Sequence, residues 1–157
     1  GFDKDFGMAF AKSQIGSGSK IPIGGAVFVS VKDGDKDKIL KPVSELISLG
    51  FKIYATDGTA EFFNKNNIKA EKINKVLQGS PHIVEMISEK KISLVFNTTE
   101  TPQAIKDSKS IRRSALESET PYYTTVSGAN AAVMAIKAIR NNEMTVKTIQ
   151  SFGESLN

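Results

Sequence analysis

The sequence predicts an α/β domain: a three-layer, doubly wound and mainly parallel sheet with helices on both faces. Two observations lead to this fold class. Short continuous apolar runs, such as residues 26–31 and 93–97, are typical of strands buried on both faces of a parallel sheet. Segments with apolar residues at helical spacing lie between these runs, so strand and helix signals alternate along the chain.

The elements follow one another in a regular order. Strands are predicted at residues 26–31, 51–56, 70–74, 93–97 and 122–126, with a last edge strand at 145–152. Helices are predicted at residues 36–49, 61–66, 81–89, 102–116 and 129–140. Asp35 is expected to cap the first of these helices and Gly50 to end it. Pro42 should kink that helix or delay its start, and Ser80-Pro81 marks the start of a later one.

The beginning of the chain differs from this pattern. Phe6, Ala9 and Phe10 suggest an amphipathic helix, and Gly16 to Ser19 form a small polar linker. We therefore expect residues 1–15 to be the tail of a neighbouring domain and residues 20–157 to form the α/β domain. The start at Gly1, with the first methionine at Met8, indicates a piece of a longer polypeptide.

Composition excludes several classes of protein. The chain has 157 residues, 39% hydrophobic and 24% charged, which is enough for one globular domain with its own core. It has no cysteine, so neither a disulfide framework nor a cysteine metal site exists, as is common in a reducing compartment. No apolar run approaches the ~20 residues of a membrane helix. The net charge of +4 comes from scattered lysines, which argues against nucleic acid as a partner.

Polar residues follow most of the predicted strands, and these positions predict a binding site. Parallel strands bring their carboxyl ends to one edge of a sheet, where ligands of doubly wound folds bind. Hydroxyls, amides and lysines at this edge suit a phosphorylated small molecule; they include Ser30, Lys36, Thr56, Thr59, Lys75, Asn97, Thr99 and Thr124. Thr56 and Thr59 are expected both to cap the following helix and to bind phosphate. Asp57 is discordant, because its carboxylate would repel an anion unless it points away.

Six segments, in this order, resemble the carboxyl-terminal regulatory domain of the carbamoyl phosphate synthetase large subunit. They are residues 30–36 (SVKDGDK), 55–60 (ATDGTA), 74–76 (NKV), 81–83 (PHI), 97–99 (NTT) and 111–116 (IRRSAL). Residues 10–14 resemble the stretch that precedes this domain in the family. The domain is similar to methylglyoxal synthase and to the cyclohydrolase of purine synthesis.

The resemblance implies a function that composition does not reveal. The full enzyme makes carbamoyl phosphate from bicarbonate, glutamine-derived ammonia and ATP, with Mg²⁺ and K⁺, for pyrimidine and arginine synthesis. This domain would bind the effectors UMP or IMP, and ornithine at a neighbouring interface. Partners would be the upstream synthetase domains and the glutaminase small subunit, in the cytoplasm. No catalytic residue, cofactor or metal is expected in this domain itself.

Carried over by position, the resemblance assigns roles to individual residues. The phosphate would meet Lys36, Thr56, Thr59 and Lys75, and Ser30 would lie at the rim. Asn97 and Thr99 would face the ribose and base, and Thr124 would lie at the ornithine interface. Each lysine could equally be a solvated surface residue, and residues 97–99 could be turn chemistry.

A stand-alone lyase of the methylglyoxal synthase type, acting on a triose phosphate, is the alternative. Such enzymes use an aspartate in a glycine-rich loop with help from a histidine, whereas residues 78–82 here contain no carboxylate. His82 is the only histidine, and its position at a helix start favours a packing or capping role. Arg112 and Arg113 are expected to be solvated or to lie between domains. A docking module with a vestigial pocket is a third possibility.

Overall fold

The computed structural model describes residues 1–74, 79–142, 144–145 and 150–151. Its elements alternate as the sequence predicts. The strands are β1 (Ala26–Ser30), β2 (Lys52–Ala55), β3 (Glu71–Lys72), β4 (Leu94–Asn97) and β5 (Tyr122–Tyr123). The helices are α1 (Phe6–Gly16), α2 (Lys36–Ser48), α3 (Asp57–Lys65), α4 (Ile83–Ser88), α5 (Pro102–Glu117) and α6 (Val126–Asn141).

The strands form one parallel sheet in the order β3-β2-β1-β4-β5. From β1 the chain moves outwards through β2 to β3, and then crosses back to β4 beside β1 and on to β5. The connections therefore diverge from the gap between β1 and β4, which is the switch point where such folds bind ligands. The predicted parallel α/β fold is confirmed.

The two faces of the sheet bury different helices, and β1 shows why. Successive side chains of a strand point to opposite faces. Val27 and Val29 lie in a core cluster with residues of α2, α3 and α6, whereas Ala26 and Phe28 lie in a second cluster with residues of α4 and α5. Burial on both faces is the reason that the strand is a continuous apolar run.

Several helix boundaries differ from the predictions. Helix α2 starts at Lys36 and contains Pro42, so this proline does not delay the helix; its ring is buried beside Val43. Asp35 lies at the N-cap, but its side chain makes no capping bond. Helix α3 begins at Asp57 rather than at residue 61, directly after the turn. Helix α6 begins at Val126, three residues early, because Thr125 caps it.

The start of the chain is in contact with its end. Helix α1 buries Met8 and Ala11, and its Gly7 packs so closely on α6 that an added Cβ would lie 2.5 Å from the carbonyl oxygen of Met134. Helix α1 therefore adds to the layer that α6 forms. The assignment of residues 1–15 to a preceding domain stays a prediction.

The last predicted strand is the weakest of the sequence-based assignments. Residues 146–149 and 152 lie outside the described residues, and Gln150 and Ser151 have helical backbone, so the prediction is wrong at these two positions. Among the residues that the structure describes, no helix combines the length and hydropathy needed to cross a membrane.

Candidate functional site at the carboxyl edge of the sheet

A cleft of about 750 Å³ opens at the carboxyl ends of β1, β2 and β4, where the sequence predicts a site. Its volume is typical of sites for small molecules. The cleft brings together all the predicted phosphate, ribose and base contacts that the structure describes: Ser30, Lys36, Thr56, Thr59, Asn97 and Thr99. Lys75 lies outside the described residues.

Three hydroxyl groups meet at the floor of the cleft. Thr56 Oγ1 donates to Ser30 Oγ at 3.3 Å and approaches Thr59 Oγ1 at 3.4 Å. Thr59 Oγ1 also accepts from the backbone N–H of Val31 at 3.3 Å. Thr56 and Thr59 are both buried, with 8% and 2% of their surface exposed. The hydroxyls thus join the end of β1 to the first turn of α3.

The first turn of α3 has no side-chain cap. Thr56 has the extended N-cap backbone (φ −66°, ψ 157°), but its hydroxyl makes no capping bond. The expectation that Thr56 caps this helix is therefore wrong, because the hydroxyl is directed to Ser30 and Thr59 instead. The early N–H groups of a helix have no partner within the helix, and the dipole makes this end partially positive. An anion in the cleft would meet both.

Lys36 adds a full positive charge at the same end. Its Nζ would lie 3.7 Å from a Cβ at Gly58, so the ammonium group stands over the first turn of α3. The ammonium is 2.7 Å from Asp33 Oδ1 and 5.8 Å from the centre of the Phe62 ring. The Asp33 side chain is 91% exposed, whereas that of Lys36 is 19% exposed. Solvent therefore weakens the hold of Asp33, and a phosphate dianion would compete well for the ammonium.

The carboxylate of Asp57, the discordant residue, is paired. Its Oδ1 lies 3.1 Å from Nζ of Lys72, which is also 3.7 Å from Glu61 Oε1. The hydrogen bond from Asp57, followed by the attraction of its charge, raises the pKa of Lys72. The lysine is thus held in its charged form and offsets the carboxylate, which reduces the repulsion that Asp57 would exert on an anion.

Amide and hydroxyl groups form the end of the cleft beside β4. Asn97, the last residue of β4, is 4% exposed, and its Nδ2 donates to the hydroxyl of Tyr122 at 2.7 Å. Thr98 Oγ1 accepts from the backbone N–H of Lys32 at 3.1 Å. The residues after β4 are therefore tied both to β5 and to the loop after β1.

One wall of the cleft was missed in the sequence. Helix α5 contributes Ala104, Lys106, Asp107, Ser108, Ser110 and Ile111. A signal for this wall does exist, because Ala104, Asp107, Ser108 and Ile111 follow helical spacing and so share one face. The face combines small, polar and apolar residues, and the tertiary structure alone shows that it borders a cleft.

The remaining candidate residues lie outside this lining. His82 is the N-cap of α4: its Nδ1 accepts from the backbone N–H of Glu85, whose carboxylate accepts from the His82 N–H. The capping role expected for this histidine is confirmed. Thr124 is exposed at the end of β5. Arg112 lies over the ring of Tyr122, and Arg113 pairs with Glu117 at 2.8 Å.

Comparison with known proteins gives consistent matches. The family model of the MGS-like domain matches residues 38–124, more than half of the chain. The chain is 47% identical over 155 residues to the carbamoyl phosphate synthase large chain of Brucella suis biovar 1 (strain 1330). It is 48% identical over 149 residues to that of Methanobrevibacter smithii. These alignments cover 99% and 95% of this chain but only 13% and 14% of the relatives, so the chain corresponds to a small part of them.

Proposed function

This chain belongs to the MGS-like domain family, and we propose that it is a regulatory domain that binds a nucleoside monophosphate without transforming it. The domain would be the carboxyl-terminal part of a carbamoyl phosphate synthetase large chain. The observation that carries the proposal is the convergence of Lys36, Thr56 and Thr59 on the uncapped first turn of α3.

The phosphate group would bind at this end of the cleft. Two hydroxyls can reorient to donate to phosphate oxygens, the first N–H groups of α3 face the same space, and the Lys36 ammonium supplies a charge. Charge-assisted hydrogen bonds of this kind are about twice as strong as neutral ones. Lys75, which the resemblance places at the phosphate, would supply a second charge.

The nucleoside would extend along the cleft towards β4 and α5. Asn97 and Thr99 offer an amide and a hydroxyl, and α5 adds Asp107 and Ser108 beside the apolar surface of Ile111. Polar groups in small number on a partly apolar wall are what orients a ligand of this kind. UMP and IMP are the effectors that we propose for this site.

Regulation would follow from linkage. An effector changes catalysis only if it binds two conformations of the enzyme with different affinity. Catalysis with ATP, Mg²⁺ and K⁺ would belong to the other domains of the synthetase, together with the glutaminase subunit. We place the ornithine contact at Thr124, which is exposed at the end of β5 and so accessible to a neighbouring domain.

Calorimetric titration of the chain with UMP, IMP and dihydroxyacetone phosphate tests the proposal. We expect binding of a nucleoside monophosphate, weakened by about 1–3 kcal/mol in Lys75→Ala, the range for losing a charged hydrogen-bonding partner. Lys38→Ala is the control, because this exposed lysine of α2 lies outside the cleft lining.

The outcomes separate the three functions considered. Unchanged affinity in Lys75→Ala would contradict the assignment of this residue to the phosphate. Conversion of dihydroxyacetone phosphate to methylglyoxal would instead support the lyase alternative. Absence of affinity for any nucleotide would indicate a docking module with a vestigial pocket.

A further inference from the structure

We propose that Tyr122 is a positioning residue of the cleft, which acts through Asn97. The tyrosine hydroxyl holds the amide so that its carbonyl oxygen serves as the acceptor for the bound nucleoside, and Arg112 holds the tyrosine ring. The inference deepens the proposed function and rests on it for the identity of the ligand. It adds a selection rule: the nucleoside must donate an N–H or O–H at this point.

The first support is the bond between Asn97 and Tyr122. The Nδ2 to hydroxyl distance of 2.7 Å is at the short end of the range for N–H···O bonds. Asn97 is 4% exposed, and a hydrogen bond in such surroundings is electrostatically stronger than one in water. The two residues lie on the adjacent parallel strands β4 and β5, so the sheet itself sets their separation.

The second support is the cation above the tyrosine ring. The guanidinium carbon of Arg112 lies 5.5 Å from the centre of the Tyr122 ring, within the range of a cation–π contact. Arg112 follows Ile111, a cleft-lining residue of α5. The ring is therefore held between the sheet and α5. This contact gives Arg112 a role at the site that its position in the sequence does not reveal.

The chemical consequence follows from the amide group. An asparagine side chain carries two hydrogen-bond donors on nitrogen and an acceptor on oxygen, on opposite sides of the amide plane. Because the nitrogen is used by Tyr122, the oxygen is the side left for the ligand. A ring N–H next to a carbonyl, as in uracil and hypoxanthine, or a ribose hydroxyl, satisfies it. A group that only accepts hydrogen bonds does not.

A double-mutant cycle tests the inference with the purified chain. Tyr122→Phe removes the hydroxyl and keeps the ring under Arg112. We expect it to weaken UMP binding by about three- to tenfold, the effect of losing one neutral hydrogen bond. Binding of inorganic phosphate should not change, because phosphate does not reach Asn97. In the Asn97→Ala background, Tyr122→Phe should cause no further loss, because the tyrosine acts through the amide.

Tyr123→Phe is the matched control. It removes the neighbouring hydroxyl, which bonds to Gln14 of α1 rather than to the cleft. It should leave UMP affinity unchanged. Loss of phosphate and UMP affinity in equal measure in Tyr122→Phe, or the same loss with and without Asn97, would overturn the positioning role.

A measurement without ligand separates this inference from the proposed function. The side-chain NH₂ resonances of Asn97 should shift in Tyr122→Phe and stay in place in Tyr123→Phe when followed by NMR. Unmoved resonances in Tyr122→Phe would overturn the inference even if UMP binds. If the resonances shift but the wild-type chain binds no nucleotide, the proposed function fails while the amide contact stands.

Discussion

Helices α3 and α6 begin in the same way in the sequence and differently in the structure. Each follows a parallel strand and has a threonine with extended backbone at its N-cap. Thr125 Oγ1 accepts from the N–H of Gly128 at 3.0 Å and so caps α6. Thr56 makes no such bond and directs its hydroxyl to Ser30 and Thr59. One threonine stabilises its helix, whereas the other belongs to the cleft.

The neighbouring strand explains the difference. Strand β2 lies beside β1, whose last residue, Ser30, places a hydroxyl next to Thr56. Strand β5 is at the edge of the described sheet, so Thr125 has its own helix as the available partner. The same local motif therefore gains a different role from its position in the sheet.

The other described helices follow the same division. Side chains cap α1, α4 and α5 through Asp5, His82 and Thr101. The uncapped starts are those of α3 and of α2 with its preceding 3₁₀ turn, and both border the cleft after β2 and β1. Uncapped N–H groups are a cost to stability that a bound anion would offset. We expect substitutions at the cleft to change affinity and substitutions at the caps to change stability.

The largest expected effect is on affinity, at Lys36. Lys36→Ala should weaken nucleotide binding by about 1.5–3 kcal/mol, because the phosphate loses a charged hydrogen-bonding partner at the uncapped turn. Stability should change little, since the partner lost in the free protein is the exposed Asp33. Calorimetric titration and thermal unfolding measure the two quantities. An equal loss of affinity in Lys38→Ala would show a general charge effect instead.

Thr59→Val tests the structural use of a cleft hydroxyl. The substitution keeps the shape of the side chain but leaves the buried N–H of Val31 without the Thr59 oxygen. The expected cost is about 1–3 kcal/mol in the free energy of unfolding, the penalty of an unsatisfied buried donor. Urea unfolding measures it. A fully stable variant would mean that this bond does not join α3 to β1.

The direct test of the comparison exchanges the two threonines for valine. Thr125→Val should lower the free energy of unfolding by about 1 kcal/mol, the usual value of a helix cap, and leave nucleotide affinity unchanged. Thr56→Val should lower affinity by about 0.5–1.5 kcal/mol, with a smaller loss of stability than Thr125→Val. Urea unfolding and titration of both variants check this crossed pattern. Parallel effects in the two variants would remove the distinction.

The smallest effect appears only at high pH, on the side of the sheet that α1 and α6 cover. Burial raises the pKa of Tyr123 to about 12, against about 10 for an unfolded chain. The neutral phenol is thus favoured by folding: its contribution is complete below about pH 10 and is lost as the pH rises through about 12. The stability difference between wild type and Tyr123→Phe, from urea unfolding, should shrink over this interval. A constant difference would contradict the burial effect.

The core strands were predictable because their signal is local. Strands β1 and β4 are buried on both faces, so nearly every residue is apolar and the run is visible in the sequence. The start of α3 was predicted four residues late, since Gly58 and Thr59 have low intrinsic helix propensity and only the packing of Ala60 and Phe63 reveals the helix. The α5 wall was missed because its residues read as an ordinary helix face.

By itself, the sequence determined the alternation of strands and helices and the chemical groups at each strand end, because both follow from local patterns of apolar and polar residues. The tertiary structure decided which strand ends meet. The sheet order places β4 beside β1, so Asn97 and Thr99 join Ser30, Lys36, Thr56 and Thr59 in one cleft, while Thr124 on β5 lies outside its lining. Strand order depends on contacts between distant segments, which no local pattern encodes.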